Sequence, residues 1–174
     1  MALALKARTN RLRVPSELKR ELGAAVAALS LTLLIAVLAA AAPIEDFLSA
    51  YHFIRVYPWY VYWRVAMVMF LLWIVAASFA SKEKKLLCWL MVSSALVLAA
   101  SHYAALAAER AAGGVEIELL PFLYKVKARG GETLKLDVAQ VVLLATLVEY
   151  MVISRSSPRT ASGGQQNPSR LRKA

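Results

Sequence analysis

A carboxylate, Glu149, stands inside a long apolar stretch near the C-terminal end of the chain. An ionisable side chain within an apolar segment of membrane length is costly, so such a residue suggests a functional site. Glu149 shares a predicted helix face with Thr146, and this part of the chain could bind a proton or a cation. The alternative is a structural carboxyl group that is protonated or paired with a lysine of the 82–85 segment.

Two further charged residues, Arg64 and Asp137, each stand near the end of an apolar stretch. If those two ends lie at the same membrane surface, the guanidinium and the carboxylate can form an ion pair. Arg64 could also extend its long side chain towards the lipid headgroups. The alternative for Arg64 is the binding of a substrate anion.

The two histidines, His52 and His102, are candidate nitrogen ligands. Two imidazoles from different helices can hold a b-type haem. A metal site normally has three or four protein ligands, and the sequence shows no further ligands for one here. The alternative is a pair of hydrogen-bonded or interfacial histidines, and we predict neither a metal nor a cofactor.

Sequence motifs of common catalytic and nucleotide-binding sites are absent. GxSxG, P-loop, GxGxxG, CxxC and HExxH patterns do not occur in the 174 residues. No two carboxylates stand at catalytic spacing within an apolar stretch. The single cysteine, Cys88, cannot form an internal disulfide. The sequence therefore favours a protein without catalytic activity.

Four apolar stretches must position these side chains. The chain is 60% hydrophobic, whereas a soluble globular protein is roughly 45–50% apolar. A helix of about 20 mostly apolar residues crosses the hydrocarbon core of a bilayer, and the stretches 22–42, 59–80, 86–108 and 136–154 have that length. The sequence predicts an all-α integral membrane protein, with a four-transmembrane-helix bundle over residues 22–154.

Basic residues are distributed unevenly between the two sides of such a bundle. Segments 1–21, 81–85 and 155–174 share one side and hold six, three and five basic residues, against three acidic ones. Lysine and arginine concentrate in cytoplasmic loops, so we expect both termini to be cytoplasmic in a cell membrane. Ser16 is a predicted helix N-cap, and the tail 155–174 has the composition of a disordered segment.

The basic segments at the two termini also indicate partners. Basic residues beside a membrane attract anionic lipid, and we expect this attraction at both termini. No nucleic acid partner is expected, because the basic residues lack the interleaved aromatic residues on which bases stack.

The two loops on the opposite side, 43–58 and 109–135, differ in pattern. The first is rich in aromatic residues, which settle at the headgroup level, and it has helical spacing over 47–54. The second alternates apolar and polar residues with a period of two, which is typical of strands. We predict a small external β-meander between the third and fourth helices.

Turn lengths set the predicted register of this meander. A turn at 121–122 places acidic residues of the first strand opposite lysines of the second. These pairs are Glu118–Lys125 and Glu116–Lys127. A three-residue turn over 129–131 keeps apolar residues of the second and third strands on one face. These pairs are Val126–Leu134 and Tyr124–Leu136. We expect that face to dock on the membrane or on a partner, because a few strands alone are marginally stable.

Together these patterns favour a non-catalytic polytopic membrane protein that works as a subunit of a larger membrane assembly. Its expected protein partners are other membrane subunits or further copies of this chain. The first alternative is a small oligomeric ion- or proton-coupled transporter or channel that uses Glu149. It requires oligomerisation, because four helices are too few to enclose a wide path. A further alternative is a haem- or quinone-linked membrane anchor that uses His52 and His102.

Overall fold

The computed structural model describes residues 16–42, 57, 59–128 and 130–155. Within these ranges it has four α-helices and one three-stranded antiparallel sheet. The helices are α1 (Ser16–Ala41), α2 (Tyr60–Phe79), α3 (Lys85–Ala111) and α4 (Val138–Arg155). The strands are β1 (Val115–Leu120), β2 (Leu123–Ala128) and β3 (Gly131–Leu136).

All four helices are long and apolar enough to cross a membrane. Each of them lies where the sequence predicts an apolar helix, and the observed helices differ from the predicted stretches only at the ends. The three strands confirm the predicted meander between the third and fourth helices. The helix predicted within 47–54 and the tail beyond 155 lie outside the described residues.

Local sequence explains where the two longest helices begin and end. The helix α1 is described from Ser16 and carries Glu17 in the first turn, where the helix dipole favours an acidic residue; the predicted N-cap role of Ser16 stays a prediction. The helix α3 extends beyond its apolar stretch to Ala111. Gly113 and Gly114 follow with φ angles of 80° and 98°, a left-handed conformation that glycine adopts without steric cost.

The helix α3 is the centre of the bundle and contacts each of the other three helices. Its buried face is lined largely by small residues, which let helices approach closely in a membrane. Met69 of α2, Leu98 of α3 and Val142 of α4 meet in the main core cluster. A second cluster, which includes Ala28 of α1 and Met91 of α3, fills the bundle nearer to the α2–α3 loop.

Two hydrogen bonds between side chains connect helices inside the bundle. Thr32 of α1 and Ser93 of α3 bring their hydroxyl oxygens to 2.7 Å, and both residues are buried. Trp73 Nε1 of α2 donates a hydrogen bond of 2.8 Å to Thr146 Oγ1 of α4. Bonds of this kind between membrane helices contribute about 0.6 kcal/mol on average and up to about 1.7 kcal/mol.

The strand register is as predicted on one side of β2 and wrong on the other. Between β1 and β2, Glu118 lies opposite Lys125 and Glu116 opposite Lys127, as expected. Between β2 and β3, Ala128 pairs with Gly131, so two residues form the turn rather than three.

The changed register turns the two leucines of β3 away from the helices. Val126 lies opposite Thr133 and Tyr124 opposite Lys135, whereas Leu134 and Leu136 lie on the other face. Both leucines are more than half exposed. Charge pairing accounts for the difference: Glu132 lies opposite Lys127, and its carboxylate is 2.8 Å from the ammonium of Lys125.

The buried face of the sheet docks on helices of the same chain. Tyr124 and Val126 of β2 pack against Leu106 of α3, with Trp63 of α2 at the edge of the cluster. The expectation of a membrane or partner surface beneath this face was therefore wrong. The sheet folds back along the end of α3, and we call this end of the bundle the sheet end. The opposite end, which carries Ser16, Arg155 and the 80–84 loop, is the loop end.

Candidate functional site

A buried carboxylate, Asp137, is the centre of a polar cluster at the sheet end. Asp137 joins β3 to α4 and is fully buried. Its Oδ2 accepts hydrogen bonds from the hydroxyl of Tyr103 at 3.0 Å and from Nε2 of Gln140 at 2.9 Å. Its Oδ1 accepts the backbone N–H of Gln140 at 3.1 Å, which makes Asp137 the N-cap of α4. Three donated hydrogen bonds compensate this carboxylate for the loss of water.

His102 lies beside this carboxylate and is enclosed by aromatic rings. Its Nε2 is 3.5 Å from Oδ1 of Asp137, and the residue is only 3% exposed. The imidazole meets Trp63, Tyr103 and Tyr124 edge to face, with ring centroids 5.1, 5.5 and 5.8 Å away. The Nε2 nitrogen is buried and makes no hydrogen bond to the residues that the structure describes.

Gln140 connects the same cluster to the turn between β1 and β2. Its Oε1 accepts the backbone N–H of Phe122 at 2.9 Å, and its Nε2 donates to the carbonyl of Leu120 at 3.3 Å. The backbone N–H of Asp137 donates to the carbonyl of Phe122 at 2.9 Å. These three bonds fix the turn to the first residues of α4.

The sequence analysis missed Gln140, although a local signal identifies it. An N-cap aspartate followed three residues later by glutamine is the pattern of a capping box. Asp137 and Gln140 have this spacing, but the interpretation of Asp137 as an ion-pair partner of Arg64 did not consider a cap. In the structure the Gln140 side chain reaches the neighbouring turn instead of the backbone N–H of Asp137.

Arg64 is buried in α2 and reaches the end of α1. Its Nη2 donates a hydrogen bond of 2.7 Å to the carbonyl of Ala40, in the last turn of α1. The C-terminal end of a helix carries partial negative charge and attracts a cation. The described partners of Asp137 are His102, Tyr103 and Gln140, and the predicted Arg64–Asp137 pair is not among them.

Thr146 and Glu149 have different surroundings in α4. Thr146 is buried, accepts the indole N–H of Trp73 and donates to the carbonyl of Val142 at 2.7 Å. Glu149 lies about one turn further along the same side of the helix, where the packing ends, and it is exposed. Lys85, one of the lysines considered as its partner, instead contacts two carboxylates of α1.

The second candidate haem ligand, His52, lies outside the described residues, so a pairing of His52 with His102 stays a prediction. Within the described part of the chain, no group of three or more histidine, cysteine, aspartate or glutamate side chains is arranged to hold a metal ion. The imidazole of His102 packs edge to face against the three aromatic rings described above.

Burial and charge also influence the titration of the sheet. Burial raises the pKa of the Tyr124 phenol, and the nearby charges of Glu109 and Asp137 raise it further. At the exposed surface the hydrogen-bonded ion pair raises the pKa of Lys125 and lowers the pKa of Glu132. Both groups are therefore charged at neutral pH, which supports the observed register.

Four apolar helices of membrane-spanning length, with a three-stranded sheet between the third and the fourth, indicate a membrane protein. Comparison of the chain with protein-family models, with curated proteins and with solved structures finds no match.

Proposed function

We propose that this chain is a non-catalytic membrane protein that works as a subunit of a larger membrane assembly. The observation that carries the proposal is the exposure of Glu149 in α4. Exposed leucine and valine side chains on a membrane helix need no explanation, because lipid chains solvate them. An exposed carboxyl group in the same helix does need one.

The free-energy cost of exposing Glu149 to lipid depends on its depth in the membrane. It stands six residues before Arg155, the last residue of α4, which is about 9 Å from the helix end at 1.5 Å per residue. An acidic residue at the centre of a membrane helix costs about 2.5–3.5 kcal/mol, and less nearer the end. A partner helix that supplies a donor or a cation would remove most of this cost.

The packing of α4 leaves room for such a partner. Only Ala139, Val142 and Thr146 of its 18 residues are buried. After Thr146 the residues are exposed, except for Ile153 at the edge of a core cluster. The last two turns of α4 thus offer a surface of apolar side chains around one carboxyl group. Such a surface suits a second membrane helix.

The proposal includes an orientation, with the loop end and both termini on the cytoplasmic side. It is supported by the excess of basic residues at the loop end, where lysine and arginine concentrate in membrane proteins. Asp137 and its hydrogen-bonded cluster then lie at the outer surface.

The proposal can be tested by native mass spectrometry of the chain, tagged at its C-terminus and extracted from membranes in a mild detergent. We expect a particle in which this chain of 19.1 kDa is joined by different chains in a fixed ratio. Replacement of Glu149 by lysine should dissociate it, because the partner loses its counterpart. The matched control is Glu83→Lys in the exposed α2–α3 loop, which should leave the mass unchanged.

Two results would contradict this proposal. One is a wild-type particle that contains a single chain at all detergent concentrations that keep it folded. The other is equal dissociation by the two lysine variants, which would show a general charge effect. A particle made only of copies of this chain would favour the transporter alternative, because Glu149 would then lie between identical subunits. Proton flux into liposomes, lost in Glu149→Gln, would be its test.

A further inference from the structure

One end of the sheet is apolar. The β1–β2 turn and its neighbours, residues 119–123, hold no charged side chain, and Leu136 of β3 lies opposite Leu123. We call residues 119–123, Leu134 and Leu136 the sheet tip. Four of its large side chains are exposed, at 56, 45, 58 and 56% for Leu119, Phe122, Leu134 and Leu136. A cluster of exposed apolar side chains marks a surface that contacts a partner or a membrane.

The charged side chains of the sheet begin beyond the tip and pair with one another. The ammonium of Lys127 is 3.7 Å from the carboxylate of Glu118 and 4.0 Å from that of Glu116. The ammonium of Lys125 is 2.8 Å from the carboxylate of Glu132. The sheet is therefore apolar at one end and charged at the other.

The tip lies beside α3, well short of the end of that helix. The strand β1 begins soon after α3 ends at Ala111 and runs back along it. Tyr124, next to the tip, has its ring centroid 5.8 Å from that of His102. His102 stands nine residues before Ala111, which is about 13 Å at 1.5 Å per residue. It also stands within the apolar stretch 86–108, so a membrane that covers this stretch reaches the tip.

The turn at the tip holds Phe122 in a conformation that suits glycine. Its φ angle is 61°, a left-handed conformation that is strained for a bulky residue. Glycine or asparagine is the usual residue at such a turn position. Packing within the chain leaves the phenylalanine ring 45% exposed. Contact with apolar surroundings outside the chain would offset the strain.

The backbone of this turn has its hydrogen-bond partners within the protein. Gln140 bonds both the N–H of Phe122 and the carbonyl of Leu120, and the N–H of Asp137 donates to the carbonyl of Phe122. A turn in water needs no such partners, because water supplies them. A turn at membrane depth must find them within the protein.

An apolar crevice opens beside the tip, between α3 and β1. Its volume is about 560 Å³, and Leu106, Ile117 and Leu119 contribute to its lining. Arg110 also lines it and stands in the last turn of α3. The crevice is thus apolar near the tip and carries a cation near the helix end, in the order in which a leaflet places its chains and headgroups.

We propose that the sheet tip lies in the lipid of the leaflet at the sheet end. Phe122 and the exposed leucines of the tip contact the upper parts of the acyl chains. Lys135, which is exposed in β3 between two tip leucines, extends its long side chain to the headgroups. The proposal goes beyond the subunit function and requires only that the helices span a membrane.

The proposal is tested with nitroxide spin labels on the full chain, purified and reconstituted in phosphatidylcholine liposomes. Cys88 is the single cysteine, so Cys88→Ser gives a background that takes one label at a chosen position. Phe122→Cys and Leu136→Cys place the label in the tip. Glu116→Cys is the matched control, because Glu116 is exposed at the charged end of the same sheet.

Power saturation compares relaxation of the label by oxygen, which concentrates in lipid, with relaxation by a water-soluble nickel chelate on both sides of the membrane. The ratio of oxygen to nickel accessibility should be several-fold higher at Phe122 and Leu136 than at Glu116. It should approach the ratio at Leu144→Cys, since Leu144 is an exposed leucine on α4. Far-UV circular dichroism should show equal helix content in the labelled variants.

Three results would overturn the proposal. Nickel accessibility at Phe122 and Leu136 as high as at Glu116 would place the tip in water. Low accessibility to both reagents would show that a protein surface covers the tip. High nickel accessibility at Leu144 would show that α4 itself is outside the lipid. The first two results leave the subunit proposal intact, because the liposomes contain this chain alone.

Discussion

The hydrogen bond between Tyr103 and Asp137 should couple the stability of α3 to that of α4. Replacement of Asp137 by alanine removes the N-cap of α4 and the acceptor of the Tyr103 hydroxyl. The loss of an N-cap costs about 1 kcal/mol, and a hydrogen bond to a charged group contributes about 1.5–3 kcal/mol. We expect Asp137→Ala to lower the free energy of unfolding by about 3 kcal/mol.

A double-mutant cycle isolates the contribution of this one bond. Tyr103→Phe alone removes the hydroxyl and should cost about 1.5 kcal/mol. The double variant should cost about 1.5 kcal/mol less than the sum of the two single variants, because both remove the same bond. This coupling is near the upper limit found between membrane helices, as expected for a charged and fully buried acceptor.

The free energies are measured by titration with sodium dodecyl sulfate in mixed micelles, with helix content followed by circular dichroism. Tyr62→Phe is the control, because Tyr62 is 44% exposed in α2, and its change should stay within about 0.5 kcal/mol. If the two single losses add within about 0.5 kcal/mol, the bond does not stabilise the native state and this reasoning is refuted.

Three further perturbations address other contacts. Thr32→Val should lower the free energy of unfolding by about 0.6–1.7 kcal/mol in the same titration, because the hydrogen bond to Ser93 is lost. Thr32→Ser should keep this bond and most of the stability. Equal losses in the two variants would contradict a stabilising role of the bond. In the wild type, the stability of the sheet, measured by hydrogen exchange, should decrease as the pH falls below about 4, because Lys125 lowers the pKa of Glu132 and protonation breaks the native ion pair. Glu132→Gln should remove this decrease. The same acid profile in the variant and the wild type would contradict a stabilising pair. The free energy of unfolding of the wild type should fall above about pH 10, because burial raises the pKa of Tyr124 in the native state and the unfolded chain releases that proton first. Tyr124→Phe should reduce this dependence on pH. An equal slope in the variant would show that other groups cause the loss of stability.

The four helices could be predicted because the length of an apolar stretch is set by the thickness of the bilayer. The same rule left the helix ends less certain. The helix α3 continues to Ala111, beyond its apolar stretch, because the sheet packs on its last turns. The three strands were also predictable, since a period of two appears in no other part of the loops.

The β2–β3 register could not be decided from the apolar pattern alone. A shift of one residue exchanges the two faces of a strand. We chose the register that aligned Leu134 with Val126, whereas the structure aligns Glu132 with Lys127. The two leucines of β3 had suggested a buried face, and in the structure the charge pairs decide between the registers.

The polar cluster at the sheet end could be predicted only in part. The sequence identifies Asp137 as a charged group near the end of an apolar stretch and His102 as a candidate nitrogen ligand. However, 34 residues separate Tyr103 from Asp137, and no local rule brings these two side chains together. For Glu149, helix periodicity places the side chain about one turn beyond Thr146, whereas Thr146 is buried and Glu149 is exposed. Periodicity does not show how far along α4 a neighbouring helix continues, so the exposure of Glu149 was visible only in the structure.

The hydrogen bonds from Gln140 and Asp137 to the turn at Phe122 have a consequence for the folding of the chain. The groups they join are close in sequence, so the loop that they close costs little entropy. We expect the sheet and the first turn of α4 to fold together as one local unit, ahead of the contacts between helices that are distant in sequence.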